Sequence, residues 1–405
     1  MRPSLFNLVP VFFATMNPSV GIAQSTGPDV IVGAVDNLVE WDRSGDGSLG
    51  LSASTDSCNV GDTKISWHRL PDNNHPVIAL NLYKEAEGRI IQIAQSWVKH
   101  GFFAVNADDC PTFDGKSFIC SEPIGGSTLN PGCSDLYGAF LNADPQYLGP
   151  RSKINSSSGY FDGDSAQDLS DYPDSSDLER ILYLDESVLS DYATREFFLE
   201  SIYISDDDAS AGNSRNNVSY RVFSADNSAG FWRFTNQSPT RHGLPAISEW
   251  SGDPSTLQEI SLNELDGYSS TIMVGSKVTE LSETRFRYDY VVFNMNSDTA
   301  IGSLALSFDT SSIDQTSVGF YFPRAHGEIW SEEPWLANIS SESISWNTEG
   351  FAVNERANAI RWGTAYNFWF ESEQPPELKN AILGRFKSGV SPTEAVASVY
   401  VPISQ

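Results

Sequence analysis

An all-β fold is predicted by three observations. Short runs of β-branched and aromatic residues recur along the chain, polar turn clusters separate them, and helical periodicity is thin. The expected architecture is a disulfide-stapled N-terminal β domain followed by an antiparallel β-sandwich region. With 405 residues the chain is long enough for two hydrophobic cores. Its 53 acidic against 25 basic side chains leave a formal charge of −28. A field of that sign repels a phosphate backbone and an anionic lipid surface, so nucleic acid is excluded as a partner. No segment after the N-terminus is apolar for long enough to insert into a membrane.

Residues 1–23 carry the pattern of an export signal. Arg2 supplies a positive start, Leu5 to Met16 is mostly apolar, and Gly21-Ile22-Ala23 offers small residues for cleavage. Cys58, Cys110, Cys120 and Cys133 fit that route, because an even count in an exported chain reads as two disulfides. Of the three connectivities, Cys110–Cys120 and Cys58–Cys133 are expected, since the second closes the longest loop and removes most unfolded-state entropy. Three units follow the signal: an N-terminal β domain over 24–155, an acidic Ser/Asp/Gly linker over 156–178, and a sandwich region over 179–405. Within the last, Tyr288–Asn294 and Ile301–Phe308 read as an antiparallel pair, as do Ser219–Phe223 with Gly230–Phe234 and Ala359–Trp362 with Asn367–Phe370. Ser187–Glu200 and Ser391–Ser398 are the two stretches with helical character.

The N-terminal domain is built on a hairpin, Asn74–Lys84 and Arg89–Phe103 around Glu85-Ala86-Glu87-Gly88. If Lys84 pairs with Arg89, one face collects Ile78, Leu80, Leu82, Ile91, Ile93 and Trp97, which is the core side. The other collects His75, Asn81, Tyr83, Gln92, Ser96 and His100 among small residues, as a ligand-binding surface does. Such polar residues are equally ordinary on a solvated strand. In the functional reading His75 and His100 transfer protons, Tyr83 assists, Arg151 neutralises a uronate carboxylate, and Asn81, Gln92 and Ser96 bind substrate. Those roles together are what β-elimination of a uronate polysaccharide requires, which would make the chain a polysaccharide lyase. The alternatives are a non-enzymatic matrix or adhesion protein, with an extracellular glycan as partner in either case, and a copper or zinc site. Such a site would use His75 and His100, with Asp108 or Asp109 as a further ligand. Calcium is a further candidate cofactor. Asp42, Ser44 and Asp46 place donors at the first, third and fifth positions of a calcium loop whose twelfth residue is Ala53. Asp206, Asp207 and Asp208 set three carboxylates side by side, which need solvent or a cation between them.

The motifs Asn-His-Pro-Val-Ile at 74–78, Ser-Trp-Val-Lys-His-Gly-Phe at 96–102 and Leu-Gly-Pro-Arg at 148–151 resemble a family of secreted bacterial proteins of unassigned activity. The likeness extends through Asn216-Asn217-Val218 to Arg361-Trp362-Gly363-Thr364 and implies an extracellular location without implying a reaction. Such proteins often end in a sorting or docking segment. The terminal Tyr400–Gln405 departs from that pattern.

Overall fold

The computed structural model describes residues 25–112, 117–172, 176–190, 196–251 and 257–404. The expected export signal lies outside them. Between the strands Val77–Ala86 and Arg89–His100 the hairpin turns on Glu87 and Gly88 alone, both with positive φ (52° and 77°). A two-residue turn of that kind matches the twist of its strands, and Gly88 adopts it without steric cost. Ala86 therefore pairs with Arg89 and Lys84 with Ile91, two residues away from the expected register. A shift of two leaves each side chain on its expected face. Two bulges then follow, between Leu82/Tyr83 and Ala79/Asn81, each adding one residue on the second strand; together they move the register by two, which restores the facing, and Val77 meets His100. Between them Ala94 crosses to the side of Ile93.

The hairpin lies toward one end of a larger sheet. The order runs Ser134–Tyr137, Ser48–Asn59, Val30–Arg43, Arg233–Asn236, Val218–Asp226, Glu196–Ile204, Val77–Ala86, Arg89–His100, Leu148–Gly149. Val30–Arg43 meets Arg233–Asn236 at a single pair, Val39 with Arg233, and there the sheet folds over itself. Val30, Val32, Leu49 and Leu51 from one half then pack with Ile78, Leu80, Leu82 and Leu199 from the other in one core.

Two expectations fail here. Residues 156–178 do not separate two domains, because strands beyond them, from Leu182 to His242, complete the first sheet. Their backbone is also fixed locally: Ser156–Ser158 are buried, Ser156 Oγ donates to the Asn296 carbonyl, and Phe161 is inserted into the core. Polar composition described a packed loop as well as it would a linker. Of Ser187–Glu200, Ser187–Ser190 is helical and Glu196–Glu200 belongs to the strand Glu196–Ile204, while residues 191–195 lie outside the described residues. Ser391–Ser398 runs into the strand Glu394–Pro402, where alternate residues face a core.

The C-terminal part is an antiparallel sandwich. One sheet orders Leu257–Asn263, Ser269–Ser282, Arg285–Asn294, Thr364–Ser372 and Ile313–Tyr321. The other orders Leu336–Ile339, Ser343–Asn347, Ile301–Ser307, Pro376–Arg385 and Glu394–Pro402. Tyr288–Asn294 and Ile301–Phe308 thus lie in different sheets, and Ala359–Trp362 forms only a bridge through Ile360. The pairing of Val218–Asp226 with Arg233–Asn236 is as expected. Along Arg285–Asn294 the side chains alternate between two cores: Tyr288, Tyr290 and Val292 enter the sandwich, whereas Val291 and Phe293 pack on Val77, Ala79, Tyr83 and Val98 of the hairpin. Four β layers are therefore stacked around three cores, and the hairpin is buried on both faces.

Both disulfides lie in the N-terminal part, but they join Cys58 with Cys110 and Cys120 with Cys133. Strand pairing decides against the expected connectivity. Cys58 faces Ser134, so its diagonal neighbour Cys133 points to the opposite side of the sheet. The loop-entropy difference between the pairings is about 0.1 kcal/mol, too little to offset that geometry. Non-reducing peptide mapping is expected to recover a Cys58–Cys110 and a Cys120–Cys133 peptide. Replacing Cys120 and Cys133 by Ser is expected to lower unfolding stability by about 3 kcal/mol.

Candidate functional site

The sequence reading gathers its catalytic residues on one face of the hairpin, and the structure divides them between two closed polar clusters. In the first, His75 Nε2 and His100 Nδ1 are 2.8 Å apart, with the rings nearly perpendicular. Phe161 covers both, its ring centroid 5.0 Å from His75 and 5.1 Å from His100. The rings are 4% and 1% exposed, so they form a core contact and not a wetted patch. Gly101 and Gly149 make the enclosure possible. A Cβ at 101 would stand 3.2 Å from Trp67 Nε1, and one at 149 would stand 2.8 Å from His100 Nε2. Burial, with Lys99 nearby, holds His75 down at about 4, and burial with His75 pushes His100 well below the usual imidazole range. Both rings are neutral at pH 7, and one N–H···N bond joins them. Such a pair can pass a proton from ring to ring but needs a substrate within one water to use it.

Arg151, Tyr83, Asn81 and Gln92 belong to a second cluster, centred on Gly363 and Glu200. The Gly363 carbonyl accepts from Arg151 Nη1 (3.2 Å), Asn81 Nδ2 (2.9 Å) and Gln92 Nε2 (3.1 Å). Arg151 Nη2 also reaches the Leu80 carbonyl and Asn81 Oδ1, and Nε donates to the Ser96 carbonyl. Asn81 Nδ2 and the Tyr83 hydroxyl donate to Glu200 Oε1, and the Ala246 amide donates to Oε2. Gln92 Oε1 accepts from the Ala365 amide. Gly363 sits at φ +71°, and a Cβ there would come within 2.5 Å of Arg151 Nη1.

Arg151 is held down at about 10 by burial, while Glu200 and Tyr83 are pushed up by it. The guanidinium stays charged, but its donors are committed to this chain. Tyr83 has its proton fixed on Glu200 and is no base. Ser96 Oγ accepts from the Leu80 amide and donates to the Trp97 carbonyl inside the bulge. The expected charge neutraliser, assisting tyrosine and substrate-binding amides are thus a bolt between the hairpin and the C-terminal sandwich. The polar face is not a ligand surface, because a second sheet covers it.

Sequence reasoning missed Glu200, Gly363, Phe161 and Lys99. Lys99 is buried, donates to the His100 carbonyl and lies 3.6 Å from the Tyr137 ring centroid. Glu200 had a visible signal: it is a carboxylate within the apolar run Phe197–Ile204, which a buried strand tolerates only when it is partnered.

The calcium-like runs make turns and caps. Asp42 Oδ1 accepts from the Arg43 amide, and Asp46 Oδ1 accepts from Ser44 Oγ and the Ser48 amide. Asp206–Ala211 is a short helix whose first three carboxylates diverge. Asp207 accepts from the Ser66 amide, Asp208 from the Val30 amide and Asn217 Nδ2, and Asp206 faces Ser210. Asp108 caps the Cys120 amide. Among the described residues no three His, Cys, Asp or Glu side chains converge as a metal-ligand set.

The open site lies elsewhere. A groove of about 600 Å³ runs between the C-terminal end of that helix and the turn joining Leu257–Asn263 to Ser269–Ser282. Tyr268 forms one wall with Ser210, their hydroxyls 3.2 Å apart. Ser261, Ser269, Asp266 and the Arg215–Glu259 ion pair also line the groove.

No family model and no curated relative matches the chain. Structural likenesses include a GH20 exo-beta-N-acetylglucosaminidase from Vibrio harveyi, at 16% identity and TM-score 0.21, covering 33% of this chain and 18% of the other. They also include a serine-rich repeat adhesion glycoprotein from Streptococcus agalactiae, at 7% identity, TM-score 0.23 and coverage of 88% and 89%. The B domain of a biofilm-associated protein matches at 9% identity, TM-score 0.19 and coverage of 94% and 88%. This chain spans less than a fifth of the glycosidase, and none of the three scores reaches the level of a shared fold.

Two outcomes follow from the clusters. Arg151→Ala leaves Glu200 and the Gly363 carbonyl with fewer partners and should lower unfolding stability in denaturant by about 3–5 kcal/mol. The imidazoles act through pH. Their folded pKa values are depressed, so their contribution is complete above the unfolded value near 6.5 and is lost as pH falls toward about 4. Asp56 and Asp135, raised to about 7 and about 6, titrate nearby with the opposite sign. The informative quantity is therefore the difference between the parent and a His75→Gln, His100→Gln variant. Urea unfolding should show the parent losing a few kcal/mol more than the variant between pH 6.5 and pH 4.

Proposed function

We propose that the chain is an exported, non-catalytic glycan-binding scaffold whose ligand is a neutral saccharide, held in the groove beside Tyr268. The observation that carries this reading is the groove itself: an aromatic side chain with hydroxyls and one fixed ion pair around a volume of about 600 Å³. An aromatic ring packs on the C–H face of a pyranose, while serine hydroxyls and carboxylates exchange hydrogen bonds with its hydroxyl groups. Against one arginine the lining places Glu259 and Asp266, within a chain of formal charge −28. A uronate polymer would be repelled there, so a neutral sugar is favoured. Two disulfides fit an oxidising compartment. Elimination loses its support, because the residues suited to it hold the layers together.

Titration calorimetry with neutral oligosaccharides should give binding that Tyr268→Ala weakens at least tenfold (about 1.4 kcal/mol) and Tyr268→Phe largely preserves. Uronate polymers should yield no unsaturated product by ultraviolet absorbance. Appearance of that product, or no binding across a broad neutral panel, would overturn the reading.

A further inference from the structure

The outer face of the last sheet is almost free of charge. Strand register places its outward residues in rows: Leu336, Asn347, Ser303, Gly384 and Glu394, then Asn338, Ser345, Ala305, Ile382 and Val396, then Ser343, Ser307, Asn380 and Ser398. Leu378 continues the face, whereas its partner Tyr400 packs against the sandwich core. Their neighbours along each strand, such as Leu304, Ile344, Leu383 and Val399, point into the sandwich core. Glu394 is the one ionisable carboxylate in these rows, on a chain that carries 53 acidic residues. Four apolar side chains stand out from a low surface of Ser, Asn and Ala: Leu336 is 71% exposed, Leu378 60%, Val396 52% and Ile382 37%.

We propose that this face is the contact between two copies of the chain, related by a twofold axis near Ala305 and Ile382. Charge selects the occupant. Two molecules of charge −28 repel in most orientations, and their approach costs least where the facing surfaces hold no carboxylates. An isologous contact sets the same surface on itself, so the apolar residues of one copy meet those of the other, with Glu394, on the edge strand at the end of its row, left at the rim. Size agrees. Five strands spaced about 4.8 Å apart span about 24 Å, and the rows cover about 20 Å along the strands, which gives on the order of 500 Å² per copy, the size of a weak interface. The contact is therefore a reversible one, and it strengthens with salt as the repulsion is screened.

Sedimentation velocity of the exported chain over a hundredfold concentration range tests this at low and at high salt. The expected result is a monomer–dimer equilibrium that shifts toward dimer in high salt. Ile382→Glu or Val396→Glu should shift the dissociation constant at least tenfold toward monomer with unchanged thermal unfolding. The same charge placed at Ile124, which is 67% exposed on the other part of the chain, should not. Tyr268→Ala should dimerise as the parent does, so this proposal and the glycan reading fail separately. A parent that stays monomeric at the highest concentration and salt overturns the proposal. So does a dimer that survives both Glu variants, or an Ile382→Glu variant that loses saccharide binding while the parent is monomeric.

Discussion

The carbonyl of Gly363 is the point on which the stacking of the layers depends. Three side chains from the first sheet and its connections, Arg151, Asn81 and Gln92, donate to that one oxygen from the second sandwich. A hairpin buried on both faces has no water to satisfy its polar groups, so each must find a partner in the chain. The cluster meets that demand: Glu200 takes what Asn81 and Tyr83 offer, and the Ala365 amide completes Gln92. A second tie lies at the turn end, where Arg89 donates to Asp289 at 2.6 Å and stacks on Trp369. Removing either tie would leave ions in a dry interface. The two sandwiches are thus held by a few directional contacts set within an apolar core.

The all-β class was legible because strand chemistry is local. Tyr288–Asn294 and Val218–Phe223 are β-branched and aromatic whatever they pair with, and Glu87-Gly88 encodes its own turn. Pairing across the chain was not legible. The strand Glu196–Ile204 joins a hairpin more than a hundred residues upstream, and no local signal names that partner. The disulfides failed for the same reason: loop length is visible in sequence, whereas the direction of Cys133 relative to Cys58 depends on the pairing of Ser134.

The candidate site was legible in part and for a physical cause. Parity placed His75 and His100 on one face, and two bulges on the same strand, which together shift the register by an even two residues, preserved that relation, so the rings do meet. What parity cannot report is whether a face meets water or another sheet. Alternating polar and small residues satisfy both conditions, since a hydrogen-bonded interface between layers has the composition of a ligand surface. The discriminating residues lay outside the hairpin. A glutamate in an apolar strand and a glycine after Arg361-Trp362 are the complementary halves of the polar face.

The same reasoning separates the buried groups from the exposed ones as carriers of function. A side chain that binds a ligand must exchange its partners, whereas Arg151 and Tyr83 are engaged by groups that would pay desolvation if released. Tyr268 differs, being half-buried beside an open groove, where its hydroxyl meets that of Ser210. The outer face of the last sheet differs again, since none of the described residues covers its exposed Leu378, Ile382 and Val396. Polar residues committed inward leave the molecule's interactions to its groove and its uncharged face, and the acidity of the remainder restricts what can approach either one.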